Sequence, residues 1–279
     1  MLEATIEQSL IFAIMVLGVY ISFRILNFPD MTVDGSFPLG AAISAKMLTQ
    51  GFNPYLTLVI AMLFGAIVGA ITGIIHVKLK VKELLAGILV MTALYSVNLR
   101  IMGKSNIPLF EEENIFNTDY PIIVIIIILV LLTKIFLDFL LKTKFGFALK
   151  ALGDNENLIS SLGLDEKKYK VYGLMIANSF VALSGAILAQ YQGFADVGMG
   201  SGIIVIALAS IIIGDTLFSK IKRNKGTIVV IIGSIFYRGV IAVTLSLGMN
   251  ASDLKMITSV IVIAVLWLRY QKDKGGKVL

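Results

Sequence analysis

The stretch PYLTLVIAMLFGAIVGAITGIIHV, residues 54–77, decides the fold. It contains no Asp, Glu, Lys or Arg, and it is longer than the roughly 20 residues that an α-helix needs to cross a bilayer. Gly65, Gly69 and Gly73 recur at every fourth position, which places them on one face of such a helix. Small residues on one face let a neighbouring helix backbone approach closely. The stretch therefore predicts a transmembrane helix that packs through its glycine face.

The rest of the chain has the same character. Of its 279 residues, 57% are hydrophobic and 15% are charged, whereas soluble domains are about 45–50% apolar and about 25% charged. Further apolar runs lie at about 5–24, 84–102, 121–141, 171–190, 202–218, 227–247 and 254–269, and a shorter run lies at about 36–50. We therefore predict an all-α, polytopic membrane helix bundle of about nine segments. Residues 1–279 form a single transmembrane domain in this prediction.

The basic residues predict the orientation. Most Lys and Arg outside the apolar runs fall in 78–82, 142–170, 220–225 and 269–277. These loops share one side of the membrane if the N-terminus is outside and the C-terminus inside, as the positive-inside rule requires. Since the basic residues sit in short loops, the net charge of +6 indicates membrane orientation and not a nucleic-acid partner. With no cysteine and a single histidine, we predict no disulfide and no metal site.

The longest basic loop, residues 142–170, contains a candidate surface helix. Asp154 or Asn155 suits a helix N-cap and Gly163 a C-terminal stop. Between them, the apolar positions share one face of a two-turn helix: Leu158, Ile159 and Leu162. A helix this short is not stable alone, so its apolar face should rest on something. A docked partner is one interpretation, and lipid or the chain's own bundle is the other.

A second unusual segment is RILNFPDMTVDGSFPLGAA, residues 24–42. We expect Asp30, Thr32, Asp34 and Ser36 to belong to a non-helical stretch that faces the interior and shapes a translocation pathway. Irregular backbone is tolerated inside a membrane only where it is buried in protein or lines a wet cavity. The alternative is an ordinary turn, in which Asp34 or Ser36 caps the next helix.

Arg238 lies near the middle of an apolar run. An arginine at mid-bilayer costs about 2.5–3.5 kcal/mol on insertion scales, so it should not face lipid. We expect it to pair with an acceptor inside the bundle, with Asp34, Asp196, Asp215 or helix-end carbonyls as the candidates, unless the helix is displaced so that Arg238 snorkels to the membrane surface. The alternative is a place in the solute pathway.

The segment FGFALKALGDNENLISSLGLDEKKYKVYGLMIANSFVALSGAILA, residues 145–189, resembles the ATPase-docking loop and following helix of ATP-binding cassette (ABC) importer permeases of the branched-chain amino-acid and ribose group. The matching positions are Gly153, Asp154, Asn155, Gly163, Ala182, Gly185, Ala186 and Ala189. The chain departs from that pattern at 158–161, where the family commonly has Ala and Arg. Residues 24–42 resemble an amino-acid-uptake-like subgroup of the same family, and such matches cover most of the chain.

The resemblance implies a multi-pass permease subunit in the bacterial cell membrane, which pairs with a second copy of itself or with a close relative. It implies a cytoplasmic ATPase dimer docked through Gly153, Asp154, Asn155, Leu158, Ile159, Leu162 and Gly163, and a substrate-binding protein on the outer side. ATP and Mg²⁺ would be bound by the ATPase, since this chain has no GxxxxGK[ST] loop. No cofactor and no catalysis are then expected on this chain, which would pass a small polar solute, such as an amino acid, by alternating access.

An ion-coupled secondary transporter is the competing interpretation. Such carriers place ionisable residues within their spans as ligands of the coupling ion. The candidates here are Lys134, Asp138, Asp215 and Arg238. Lys134 and Asp138 are four residues apart and indicate an intrahelical pair, so few candidates are left for coupling.

Overall fold

The computed structural model describes residues 2–218, 226–246, 253, 256–264 and 267. The described part is mostly helical, in agreement with the predicted fold class. Its α-helices are α1 (Leu2–Val19), α2 (Val33–Leu48), α3 (Pro54–Leu79), α4 (Glu83–Met102), α5 (Ile122–Leu140), α6 (Lys144–Asp154), α7 (Glu156–Ser161), α8 (Glu166–Gln192), α9 (Ile203–Leu217) and α10 (Gly226–Ser246). A π-helical segment, Tyr20–Ile25, extends α1, and a 3₁₀ turn, Val197–Gly200, precedes α9. Two short strands, β1 (Asn106–Pro108) and β2 (Phe194–Asp196), pair antiparallel.

Seven helices in the described residues are long and apolar enough to cross a membrane. They are α1 with its π-helical extension, α3, α4, α5, α8, α9 with the turn before it, and α10. The short predicted segment at 36–50 corresponds to α2, a continuous helix of 16 residues. The predicted segment at 254–269 is described only in part, and its residues 256–264 are helical. The total of nine segments remains a prediction.

Helix α8 lies at the centre of the bundle, and most of its residues from Ala177 to Gln190 are buried. Glycines on its neighbours allow this position. A methyl group added to Gly65, Gly69 or Gly73 of α3 would meet the backbone of α8, at Asn178, Leu174 and Val171 respectively. The predicted glycine face of α3 therefore lies directly on the central helix.

The periphery is formed by α4 and α5, whose side chains are mostly outward. Leu131, Leu132 and Ile135 of α5, for example, are about half exposed or more. Large apolar side chains can remain uncovered on this face because lipid tails solvate them as well as protein does. No soluble protein of this size could leave such a surface in water.

Two irregular stretches lie at mid-depth in the bundle, one before α2 and one before α9. Asp30, which precedes α2, is hydrogen-bonded to Asn178 of α8. Asn178 is 12 residues from the start of α8 at Glu166, so it lies about 18 Å along that helix at 1.5 Å per residue. Asp34 then joins the start of α2 to the start of α9. Both helices therefore begin inside the membrane layer. Helices interrupted at mid-membrane are typical of the solute and ion sites of transporters.

Candidate functional site

The residues before α2 are anchored by a buried polar network. The Asp30 carboxylate, 2% exposed, accepts hydrogen bonds from the Thr32 backbone N–H at 2.9 Å and from Asn178 Nδ2 at 2.7 Å. The Ser36 hydroxyl donates to Asn178 Oδ1 at 2.7 Å. The Thr32 and Thr72 hydroxyls lie 2.9 Å apart. This network satisfies the buried polar groups and ties the start of α2 to both α3 and α8.

Asp34 connects α2 to α9. Its half-buried carboxylate accepts hydrogen bonds from the backbone N–H groups of Gly202, at 3.0 Å, and Ile204, at 2.8 Å. These are N–H groups at the start of α9, which have no partner within that helix. A carboxylate also compensates the positive end of the helix dipole. Asp34 thus acts as a cap supplied from a distant part of the chain.

A cavity of about 400 Å³ lies beside this cap, between α2, α4 and the 3₁₀ turn. Asp34, Thr92, Tyr95, Asn98 and Ser201 supply its polar lining. Asn98 is fully buried and donates from Nδ2 to the Gly35 carbonyl at 3.1 Å. Its Oδ1 has no hydrogen-bond partner within the described residues. The Thr92 and Tyr95 side chains are exposed, so the cavity opens on the outer face of this single chain.

The four residues predicted to line the pathway are close together, but only some are non-helical. Asp30 and Thr32 precede α2, whereas Asp34 and Ser36 lie in its first turns. The non-helical stretch is therefore shorter than predicted. Asp34 and Ser36 have helical backbone, and it is their side chains that bond to α9 and α8. Asp34 does cap a helix, although it caps α9 and not the next helix in the chain. Of the four, Asp34 reaches the cavity.

The predicted docking segment forms two helices that meet at Asn155. Helix α6 ends at Asp154 and α7 begins at Glu156, with Asn155 in extended conformation between them. Gly163 has a φ of +73°, the left-handed conformation that ends helices. Gly153 packs against the Ile25 carbonyl at the end of the π-helical segment. The segment is thus joined to the membrane helices at the end of the first span.

The apolar face predicted for this surface helix is divided. Ile159 is 1% exposed and belongs to the main hydrophobic core, whereas Leu162 is 65% exposed. The side chain of Leu158 lies outside the described part of the structure. Ile159 therefore attaches α7 to its own bundle, as one of the two interpretations required. Leu162 remains exposed and available to a partner.

Arg238 is not paired with the carboxylates proposed for it. Asp34 accepts from α9, Asp196 accepts from the Gly198 N–H at 2.7 Å, and Asp215 pairs with Arg24 at 3.6 Å. The Arg238 guanidinium lies over the Phe12 ring, 4.0 Å from its centroid. Lys134 and Asp138, by contrast, form the predicted intrahelical ion pair at 2.7 Å. That prediction is confirmed.

Sequence reasoning missed Asn98 and Asn178. Asn98 is the only amide in the apolar run at 84–102, and Asn178 shares the run at 171–190 with one other amide, Gln190 at its end. Both asparagines are fully buried. A polar side chain within an apolar run was the signal that the sequence offered, because such a side chain inside a membrane helix must find a partner in the protein or line a cavity. Asn178 is the residue that links Asp30 to Ser36, and Asn98 lines the cavity beside Asp34.

Comparison with known proteins identifies the family. The family model described as branched-chain amino acid transport system / permease component matches residues 1–267. The chain belongs to this permease family. The permease is therefore the membrane subunit of an ABC importer and a multi-pass protein of the bacterial inner membrane. As a permease subunit it is not itself an enzyme.

Several curated proteins resemble the permease along most of its length. It is 50% identical over 263 residues to the tyrosine transport system permease protein of Clostridioides difficile (strain R20291). That match covers 94% of this chain and 89% of the relative. It is 36% identical over 273 residues to an uncharacterised protein of Rickettsia prowazekii (strain Madrid E), covering 93% and 94%. Identity to the ribose import permease protein of Escherichia coli (strain K12) is 26% over 233 residues, covering 80% and 71%.

A solved structure shares the fold. It is described as an inward-facing conformation of a metal-chelate type ABC transporter, and it matches with a TM-score of 0.54 at 16% sequence identity. The match covers 96% of the permease and 84% of the solved chain. At an identity this low, the structural match supports the arrangement of the helices alone and gives no information on the solute.

Proposed function

We propose that the permease carries an α-amino acid, with tyrosine as the first candidate, across the inner membrane in a complex driven by a separate ATPase. The observation that carries this proposal is the 50% identity over 94% of the chain to the tyrosine transport system permease protein. ATP and Mg²⁺ are bound by the ATPase in this proposal. A substrate-binding protein delivers the solute on the outer side, and the permease alternates between outward and inward access.

The cavity beside Asp34 supports a pathway completed by a second copy of the chain. Thr92 and Tyr95 of α4 are exposed on the face where this cavity opens. Polar side chains on a membrane helix face protein or water and avoid lipid. A homodimer that buries this face between two copies would enclose a polar passage. Asp30, Thr32 and Ser36 hold the start of α2 in place beside it, while Asp34 reaches the passage itself.

The proposed topology follows the basic loops. The N-terminus is outside, the C-terminus is inside, and nine segments cross or enter the membrane. The pairing of β1 with β2 is compatible with this topology, because it requires the end of α4 and the end of α8 to lie on one side. Helices α6 and α7 then lie on the inner side, where the ATPase docks.

The function is tested by reconstituting the permease with its ATPase and binding protein in proteoliposomes and measuring uptake of labelled L-tyrosine. We expect uptake to require ATP hydrolysis and to persist when ionophores collapse all ion gradients. Uptake that continues without ATP and stops with an ionophore would instead identify an ion-coupled carrier. The other amino acids serve as a competition panel that identifies the preferred solute.

Docking is tested at Leu162, which is 65% exposed. Leu162→Asp leaves the buried Ile159 anchor in place, so the permease should fold. The charge should weaken ATPase retention by at least about tenfold if this leucine enters an apolar contact, since about 1.4 kcal/mol corresponds to tenfold. The matched control is Tyr120→Asp, at a side chain 72% exposed in the loop before α5. Equal co-purification of the ATPase with both variants would rule out docking through Leu162.

A further inference from the structure

The Arg238 side chain is held by an aromatic ring, and no acid within the described residues neutralises it. Its guanidinium carbon lies 4.0 Å from the Phe12 centroid, and Phe12 in turn stacks on Phe37 with centroids 5.8 Å apart. A guanidinium stacked on a ring keeps its N–H donors free in the plane of the group, directed sideways. The stack therefore fixes the position of the charge and leaves its hydrogen-bonding edge available.

One buried polar atom of this edge lacks a partner in the part of the chain that the structure describes. Arg238 Nε is buried without a hydrogen bond, whereas the buried Tyr237 hydroxyl faces the Thr258 side chain. Arg238 and Tyr237 line one cavity of about 350 Å³, together with Ser201, Gly202 and Thr258. Buried polar groups in native proteins are nearly always satisfied, so an unsatisfied guanidinium nitrogen that lines a cavity indicates a missing ligand.

Five carboxylates of the described bundle are engaged elsewhere. Asp34 accepts from the start of α9, Asp215 pairs with Arg24, and Asp138 pairs with Lys134. Glu7 accepts from the Tyr191 hydroxyl at 2.8 Å, and Asp30 accepts from Asn178. The described chain thus offers Arg238 no counter-ion, although a charge within a membrane is normally paired. The counter-ion must come from outside these residues.

The chemistry of the cavity selects a carboxylate. A guanidinium edge binds a carboxylate through two parallel N–H donors, and the Tyr237 hydroxyl can supply a third. A volume of about 350 Å³ falls within the range of about 300–1,000 Å³ that is usual for small-molecule sites. The cavity on the other side of Ser201 is lined by Asp34 and Asn98, and the negative charge of Asp34 disfavours an anion there.

We propose that Arg238 and Tyr237 form a mid-membrane binding site for the carboxylate of the transported solute. This site rests on the proposed function, because an α-amino acid supplies the carboxylate that the cavity lacks. The solute passes through the site after leaving the binding protein. A tyrosine without its carboxylate, as in tyramine, has nothing to offer the guanidinium.

The first arm of the test measures L-tyrosine uptake by the reconstituted complex, per assembled transporter. We expect Arg238→Met to lower uptake at least about tenfold and Tyr237→Phe about threefold to tenfold, with Arg238→Lys between wild type and Arg238→Met because it keeps the charge but loses the fork. Arg100→Met, at an exposed arginine in the last turn of α4, is the control and should transport normally. Uptake by Arg238→Met and Tyr237→Phe within about twofold of wild type would overturn the site.

The second arm measures the thermal midpoint of the solubilised complex with L-tyrosine, 3-(4-hydroxyphenyl)propionate or tyramine at equal millimolar concentration. The two carboxylates should raise the midpoint of the wild type and tyramine should not, and Arg238→Met should abolish the shift. Without ligand, Arg238→Met should lower the midpoint by no more than the loss of the Phe12 stacking, because the guanidinium pairs with no acid within the described residues. A lowered midpoint with the ligand shift retained would assign Arg238 a structural role.

The two arms separate this site from the proposed function. If the wild type takes up no amino acid, the proposed solute class is wrong, and the thermal shift with the two carboxylates still decides whether the cavity binds them. If the wild type transports tyrosine and Arg238→Met does so equally well, the proposed function stands and the carboxylate site is wrong.

Discussion

Asp34 and Arg238 are two charges of opposite sign within the membrane layer, and their surroundings differ completely. Asp34 accepts hydrogen bonds from two backbone N–H groups of α9. Arg238 lies on an aromatic ring, and its Nε has no hydrogen-bond partner among the residues that the structure describes. Both residues line cavities that meet at Ser201. The two charges therefore lie close to the same turn of the chain without pairing with each other.

The difference separates a charge that holds the protein together from one that is available to a ligand. A carboxylate that satisfies a helix end repays its desolvation within the protein. An unpaired guanidinium does not, and functional sites often retain groups that lower stability. If this distinction is right, substitution of Asp34 should lower the stability of the protein far more than substitution of Arg238.

Asp34→Ala should have the largest effect. It leaves the N–H groups of Gly202 and Ile204 without their acceptor, and each unsatisfied buried group costs about 1–3 kcal/mol. We expect a loss of roughly 2–4 kcal/mol, measured as a lower thermal midpoint and less assembled complex. Asp34→Asn keeps one acceptor oxygen and should lose less. If Asp34→Ala is as stable as wild type, the cap is not structural, and the contrast with Arg238 disappears.

Asn178→Leu tests whether Asp30, like Asp34, is a charged residue whose hydrogen bonds stabilise the protein. The substitution removes a donor from the Asp30 carboxylate and the acceptor of the Ser36 hydroxyl. We expect a loss of about 2 kcal/mol, somewhat less than for Asp34→Ala because Asp30 keeps the Thr32 N–H. Ser179→Ala is the neighbouring control, since that hydroxyl donates only to the Ile176 carbonyl of its own helix. Comparable stability of the two variants would show that Asp30 needs no partner on α8.

The smallest expected effect concerns a neutral pair in the same region. Thr32 and Thr72 share a hydrogen bond between α3 and the start of α2. A double-mutant cycle with Thr32→Val and Thr72→Val should give a coupling energy of about 0.5–1.5 kcal/mol in thermal stability. If the effects of the two substitutions are strictly additive, this hydrogen bond contributes nothing to stability, and the network depends mainly on Asp30.

Much of the helix layout could be predicted from local sequence. Length and apolarity located α3, α4, α5, α8 and α10 to within a few residues, because a bilayer requires long uncharged runs wherever a helix crosses. The glycine spacing of α3 predicted a close contact, although the partner helix could not be named. The Gly163 position and the break near Asn155 were also predictable, since caps and stops depend on neighbouring residues.

The site was less accessible to prediction. Asp30, Asp34 and Arg238 could be recognised as unusual because charges are rare in such surroundings. Their partners could not be recognised: Asn178 is 148 positions from Asp30, and Ile204 is 170 positions from Asp34. The docking helix shows the same limit, because periodicity grouped Ile159 with Leu162 while the fold buries one and exposes the other.

The sequence by itself determined that this chain is a membrane protein and where most of its helices cross, because transfer of a helix into lipid depends on the composition of that helix alone. Family membership was likewise contained in the order of residues. Only the tertiary structure decided which polar groups satisfy one another. Hydrogen bonds form between groups that helix packing brings within about 3 Å, and that packing depends on contacts distant in the chain. For this reason Asp34 finds its hydrogen-bond donors on α9, whereas Arg238 Nε finds no acceptor within the described residues.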